Sequence, residues 1–161
     1  MRKITITLFT TLLCLSSQAH SNKPETPSTS VLMPINNMFD AMRQHDGKKF
    51  IAQFTEQAIL ERVNKENNVE TSDLNEFSDF INETSKHLDE KIFNIKINKS
   101  GNLASAWVPF AFFLDGKLSH CGVNSFQLIK QHELWKIRYL MDNTFLGDCE
   151  AFIKKHKSEA S

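Results

Sequence analysis

At 161 residues and 18.5 kDa the chain has the length of one ordinary domain, which excludes a multidomain assembly. Its 19 Lys and Arg balance 19 Asp and Glu with no basic tract, so the electrostatic footprint of a non-specific nucleic-acid binder is missing. A hydrophobic fraction of 40% with only 5 Gly and 4 Pro supports a packed core, and thirteen Phe beside one Tyr and two Trp supply aromatic area without polar handles, suited to dry burial.

Arg2 and Lys3, the apolar stretch from Ile4 to Leu15 and the small residues Ser17 and Ala19 have the layout of a cleavable secretory signal over residues 1–19. The apolar stretch is shorter than the roughly 20 residues a membrane span requires. Cleavage after Ala19 removes Arg2, Lys3 and Cys14 and leaves a mildly acidic chain for a periplasmic or secreted location, with no membrane span. Residues 20–32, with Pro24, Pro27 and several Ser and Thr, read as a flexible leader. Cys121 and Cys149 remain, an even pair in an export route where a disulfide can persist.

From Pro34 the residues Ile35, Met38, Phe39 and Met42 recur at helical spacing, and Asp46-Gly47 ends that helix. Phe50, Ile51 and Phe54 mark a short second helix. Ala58 to Val63 has the composition of a strand edge, leading into a polar loop from Asn64 to Thr71. A third helix begins at Asp73, capped with Glu76 three residues on, and buries Leu74, Phe77, Ile81 and Leu88.

Beyond it the period changes to two. Phe93, Ile95 and Ile97 alternate with polar residues, a strand runs from Leu103 to Leu114, and Asp115-Gly116 is a two-residue hairpin turn. Lys117 to Lys130 returns, and Trp135 to Thr144 makes the last long strand. Helices followed by an antiparallel meander indicate an α+β fold over residues 33–150, with 151–161 a polar tail.

Pairing Leu114 with Lys117 and continuing without interruption puts Trp107, Phe113, His120, Asn124, Phe126 and Tyr139 on one face. Val108, Phe110, Phe112, Cys121, Val123 and Asp142 fall on the other. The first face is the candidate lining of a pocket closed by the helices. The second, through Val108, Phe110, Phe112 and Val123, is the expected surface of a homodimer. In that register Thr144 stands opposite Cys121, which brings Cys149 within reach of it for a bridge.

Several motifs in order carry a resemblance: Met38-Phe39-Asp40-Ala41-Met42 before Asp46-Gly47, Ala106-Trp107-Val108-Pro109-Phe110, Asp115-Gly116-Lys117, His120-Cys121-Gly122, and Trp135-Lys136-Ile137 before Asp142 and Thr144. Together they resemble the nuclear transport factor 2-like, or SnoaL-like, superfamily, and within it small secreted bacterial lumazine-binding-like proteins. The resemblance implies a cone of helices on a curved sheet with an internal pocket, used by some members for isomerase or dehydratase chemistry and by others for binding or assembly alone. Fold does not choose among these.

Acid–base work needs a titratable group in apolar surroundings. His120 is the candidate base, with Asn124 and Tyr139 as donors on its face; Asp40, on the first helix, is the carboxylate most able to lean inward. His45, His87, His132 and His156 are scattered, without ligand spacing, so no metal is expected, and without a Gly-rich phosphate loop no cofactor is expected either. The expected function is the binding of a small apolar or aromatic molecule against Trp107, Phe113, Phe126 and Tyr139, oriented by His120 and Asn124. The alternatives are a cofactor-free isomerase or dehydratase with His120 as base, and a dimeric interaction module whose pocket is filled by its own Phe side chains.

Overall fold

The computed structural model describes residues 30–158. The expected signal sequence, Cys14 and most of the expected leader therefore lie outside the described residues.

Helices α1 (Leu32–Arg43), α2 (Gly47–Ile51) and α3 (Leu74–Glu83) form where the apolar spacing predicts them, except that Phe54, read with the second helix, belongs to the first strand. Asp46 caps α2 by accepting from the Lys49 amide, and Asp73 caps α3 by accepting from the amides of Asn75 and Glu76. Gly47 lies against α3 so closely that a Cβ there would stand 2.3 Å from the Ser78 carbonyl oxygen. Only glycine permits that approach of the two helices.

Between α2 and α3 run β1 (Phe54–Val63) and β2 (Val69–Ser72), the latter in a segment whose polarity suggests a loop. All four residues of β2 are exposed, which explains the missing apolar signal: it is an edge strand held by its backbone pairing and by polar side chains. Leu88, placed by its spacing at the end of the third helix, instead opens β3 (Leu88–Ile92). Then follow β4 (Lys96–Ser100), β5 (Leu103–Leu114), β6 (Lys117–Gln131) and β7 (Leu134–Asn143). The order across the sheet is β2-β1-β7-β6-β5-β3, with β4 also paired to β5. Because β1 runs parallel to β7, the sheet is mixed rather than wholly antiparallel.

Both tight hairpins carry the positive φ their turns require, at Asp115 and Gly116 and again at His132 and Glu133. Next to the first turn the pairing is the one the sequence predicts, Leu114 with Lys117 and Phe113 with Leu118. Beyond Phe113 it changes. Phe112 pairs with His120, leaving Ser119 as an extra residue, and between Leu128 and Gln127 the partners jump from Ile137 to Tyr139, leaving Arg138 extra. Each is a β-bulge, and each exchanges the two faces of the strand beyond it.

Those two bulges correct the face assignment. Val108, Phe126, Leu128 and Leu140 face the helices and, with Ile35, Met38, Phe39, Phe50 and Ile81, form the core. Phe39 meets Phe126 edge-on at 6.4 Å between ring centres. The residues expected on an open second face are not there: Val108 and Phe110 have no exposed surface, Phe112 is half-buried, and of the four Val123 alone points away from the helices. Phe110 fits over Gly122, where a Cβ would stand 3.0 Å from its ring. Trp107 is the residue that faces outward, at 52% exposure.

Residues expected as a polar tail continue as α4 (Cys149–Ser158), which packs on β5 and β6 and is bridged to the sheet by Cys121–Cys149. None of its residues is fully buried. Closing a loop over a sequence separation of 28 restricts the unfolded chain by about 3–4 kcal/mol. The Cys121→Ala/Cys149→Ala double variant is therefore expected to lose about that much stability in urea unfolding at unchanged sheet content by circular dichroism.

Candidate functional site

Between the helices and the inner face of the sheet lies a cavity of about 360 Å³. Its helix side consists of Met38, Phe39 and Met42 from α1, Phe50 from α2, and Phe77 and Phe80 from α3. Its sheet side carries Leu60, Leu88, Phe112, Leu114 and Leu140, and among these apolar residues stand Arg62, Glu90, His120, Asn124 and Asp142. Alternation explains how they converge. Glu90 lies two residues from Leu88 on β3, Arg62 two from Leu60 on β1, Asp142 two from Leu140 on β7, and His120 and Asn124 share the inner face of β6.

Glu90 and Asn124 form one pair. The Asn124 side-chain amide donates to Glu90 Oε1 at 2.6 Å, and Asn124 is almost wholly buried. Burial pushes the Glu90 carboxyl up to about 8, against the hydrogen bond from Asn124; nearby Asp142 raises it further, and Arg62 and Arg43 pull it down. At neutral pH it is mostly a neutral acid. Arg62 and Asp142 form the second pair, a two-pronged ion pair with Nε to Oδ1 at 2.7 Å and the second prong from a terminal guanidinium nitrogen to Oδ2. This pair ties the two parallel strands β1 and β7, and the contact holds the guanidinium charged above its ordinary value.

His120 stands between the rings of Phe110 and Phe112, at 5.7 and 5.2 Å between centres, with Nδ1 at 3.2 Å from Ser119 Oγ. Burial lowers its pKa first, Arg62 and Lys65 lower it further, and Asp142 opposes them. The imidazole is neutral at neutral pH. An acid that keeps its proton and a base that stays unprotonated thus line the same cavity.

Of the residues singled out in the sequence, the cavity brings together His120 and Asn124. Phe126 lies beneath it in the core, and Phe113 is turned outward under Lys91, whose ammonium stands 4.6 Å from the ring centre. Trp107 and Tyr139 are also on the outer face; the Tyr139 hydroxyl donates to Glu61 Oε2 at 2.6 Å, which pushes its pKa up to about 12. Asp40 is exposed and paired with Arg43 at 2.5 Å, away from the cavity. Asp142, assigned by uninterrupted pairing to the face opposite His120, lies on the same face. Neither Glu90 nor Arg62 is among the residues that the sequence singles out. Leu88-x-Glu90-x-Ile92 does carry a signal, a carboxylate at the inward position of an alternating apolar run.

Among the described residues no group of three or more His, Cys, Asp or Glu is placed to hold a metal ion, and no helix is long and apolar enough to cross a membrane.

No family model matches the sequence, and no curated protein matches it. Solved structures do match in shape. A protein of unknown function from Shewanella baltica, described as nuclear transport factor 2-like, superposes with a TM-score of 0.58 at 17% identity over 73% of this chain and 92% of that one. The fold is nuclear transport factor 2-like. A protein of that family from Streptomyces avermitilis, proposed to be a dehydratase, gives 0.62 at 14% identity over 78% of this chain and 100% of that one. A proposed scytalone dehydratase from Novosphingobium aromaticivorans gives 0.59 at 12% identity over 70% and 80%.

The raised Glu90 value fixes the sign of a pH effect. Below about 4.5 the carboxyl is protonated in both folded and unfolded chains; between there and about 8 the unfolded chain gives up the proton and the folded chain keeps it. Stability from this group therefore falls across that window as pH rises. Glu90→Gln is expected to remove the fall, so that its stability relative to wild type improves by on the order of a few kcal/mol between pH 5 and pH 8, measured by urea unfolding at each pH. Comparing variant with wild type cancels the opposite contribution of His120, which is lost as pH falls below 6.5.

Proposed function

We propose that this is an exported binding protein that takes a small, largely apolar molecule into the cone, with Glu90, Asn124 and His120 recognising its polar end. The observation that carries the reading is the cavity itself: about 360 Å³, walled by Phe and aliphatic side chains, with a few polar groups gathered on the sheet side. That is the usual make-up of a small-molecule site. The pocket is lined by Phe side chains rather than filled by them, which weighs against a module whose only function is its outer surface. Export is supported by the signal-like residues 1–19 and by a disulfide of the kind that persists outside the cytosol.

A second reading, a cofactor-free isomerase or dehydratase, is favoured by one specific observation. A protonated carboxyl and a neutral imidazole lie in one apolar cavity, which is an acid and a base ready for proton transfer. Two of the structures similar in fold are themselves described as proposed dehydratases.

Calorimetric titration with small aromatic compounds separates these readings. Binding is expected in the micromolar range or tighter, weakened at least about tenfold by Phe112→Ala, which removes a ring from the cavity wall. If none of a broad panel binds, the binding reading fails. For an enzyme, His120→Gln and Glu90→Gln are each expected to lower kcat at least about 100-fold, and the wild-type rate to follow a bell-shaped pH profile.

A further inference from the structure

Each guanidinium near the polar end of the cavity is already committed. Arg62 faces Asp142 through two nitrogens. Arg43, reaching from α1, faces Asp40 and Asp89 and touches Glu90 only through its main-chain carbonyl, at 3.3 Å. Glu90 is therefore a deep carboxyl without a cation of its own; the one side-chain hydrogen bond it receives among the described residues is from Asn124. A buried carboxyl ordinarily has a cation or stays protonated.

The hydrogen-bonding inventory points the same way. Asn124 uses one N–H of its amide on Glu90, and its carbonyl oxygen is an acceptor for a ligand. Arg62 spends two of its nitrogens on Asp142, and neutral His120 has one N–H to offer. The Glu90 carboxyl and the Asn124 carbonyl oxygen are thus acceptors offered to a guest, and Glu70 adds a carboxylate to the lining. A guest that brings donors fits them. Phe112, the strand partner of Glu90, stands beside these groups, and the rings of Phe50, Phe77 and Phe80 line the same cavity; aromatic faces attract a cation.

We propose that the molecule held in the cone is a small organic ammonium, a primary amine on an aromatic or branched apolar body, seated between the Glu90 carboxyl and the Asn124 carbonyl. This rests on the binding reading above and names the class of ligand. Binding balances as a proton release: the ammonium enters with its proton, Glu90 gives its own to solvent, and an ion pair replaces a neutral buried acid. The charges near Glu90 are already paired among themselves and do not repel an incoming cation. Asp142 offsets Arg62, Asp40 and Asp89 offset Arg43, and His120 is neutral.

Calorimetry on the full chain at pH 7 tests it with three matched series: arylalkylamines from benzylamine to 4-phenylbutylamine, the corresponding alcohols, and the corresponding carboxylates. The best amine is expected to bind at least tenfold tighter than its alcohol and to release close to one proton per ligand, read from the dependence of heat on the ionisation enthalpy of the buffer. Glu90→Gln is expected to abolish both the release and the preference, with a thermal melt establishing that the variant is folded. Alcohols or carboxylates binding as tightly as the amines, or amine binding without proton release, overturns the ammonium proposal and leaves the pocket reading standing. No binding in any series overturns both.

Discussion

Side chains along a strand alternate between two faces, so a single unpaired residue decides which half of a hairpin looks inward. Ser119 is such a residue in β6 and Arg138 in β7. Between them they bring His120, Asn124 and Asp142 to one surface, set Phe112 beside His120, and turn Trp107 and Tyr139 outward. The cavity, its charges and its aromatic wall all follow from those two insertions. Bulges are expected to re-aim side chains next to functional sites, and here the residue after the first bulge is the candidate base.

The electrostatic character of the site comes from where the charges are balanced. Arg62 and Asp142 cancel across the parallel β1–β7 pair, and Arg43 is neutralised at the rim by Asp40 and Asp89, where α1 meets β3. Glu90 sits between these pairs and shares in neither. Asn124 holds the carboxyl in place without supplying charge, so burial decides its protonation. A fold can keep such a group only where a local arrangement tolerates it, and the cavity behind the Asn124 amide is that arrangement.

Much of this was legible in the sequence, and the part that was not has a physical cause. The helices were written in the spacing of Ile35, Met38, Phe39 and Met42 and in the caps at Asp46 and Asp73. The first hairpin was written in Asp115-Gly116, and the bridge partners in the parity of Cys121 and Cys149. Register beyond the turn was not, because neither Ser119 nor Arg138 differs in kind from its neighbours and a bulge has no composition of its own. The edge strand β2 escaped notice because it buries nothing. Glu90 escaped because a charged residue between Asp89 and Lys91 reads as a solvated surface, and only the partners at Leu88 and Ile92 betray its direction. Seven of the thirteen Phe find their account here as well: Phe39, Phe50, Phe77, Phe80 and Phe112 wall the cavity, while Phe110 and Phe126 lie buried in the sheet.

The tether between Cys121 and α4 has a practical side. Cys121 adjoins His120 in the chain, and α4, with no fully buried residue, is held on the back of the sheet by this covalent link together with its packing on β5 and β6. Protein prepared under reducing conditions would keep the cone but present a strand freed of its splint beside the candidate site. Thiol reagents in a sample buffer are therefore a variable for this molecule, and two preparations that differ only in dithiothreitol are two different species.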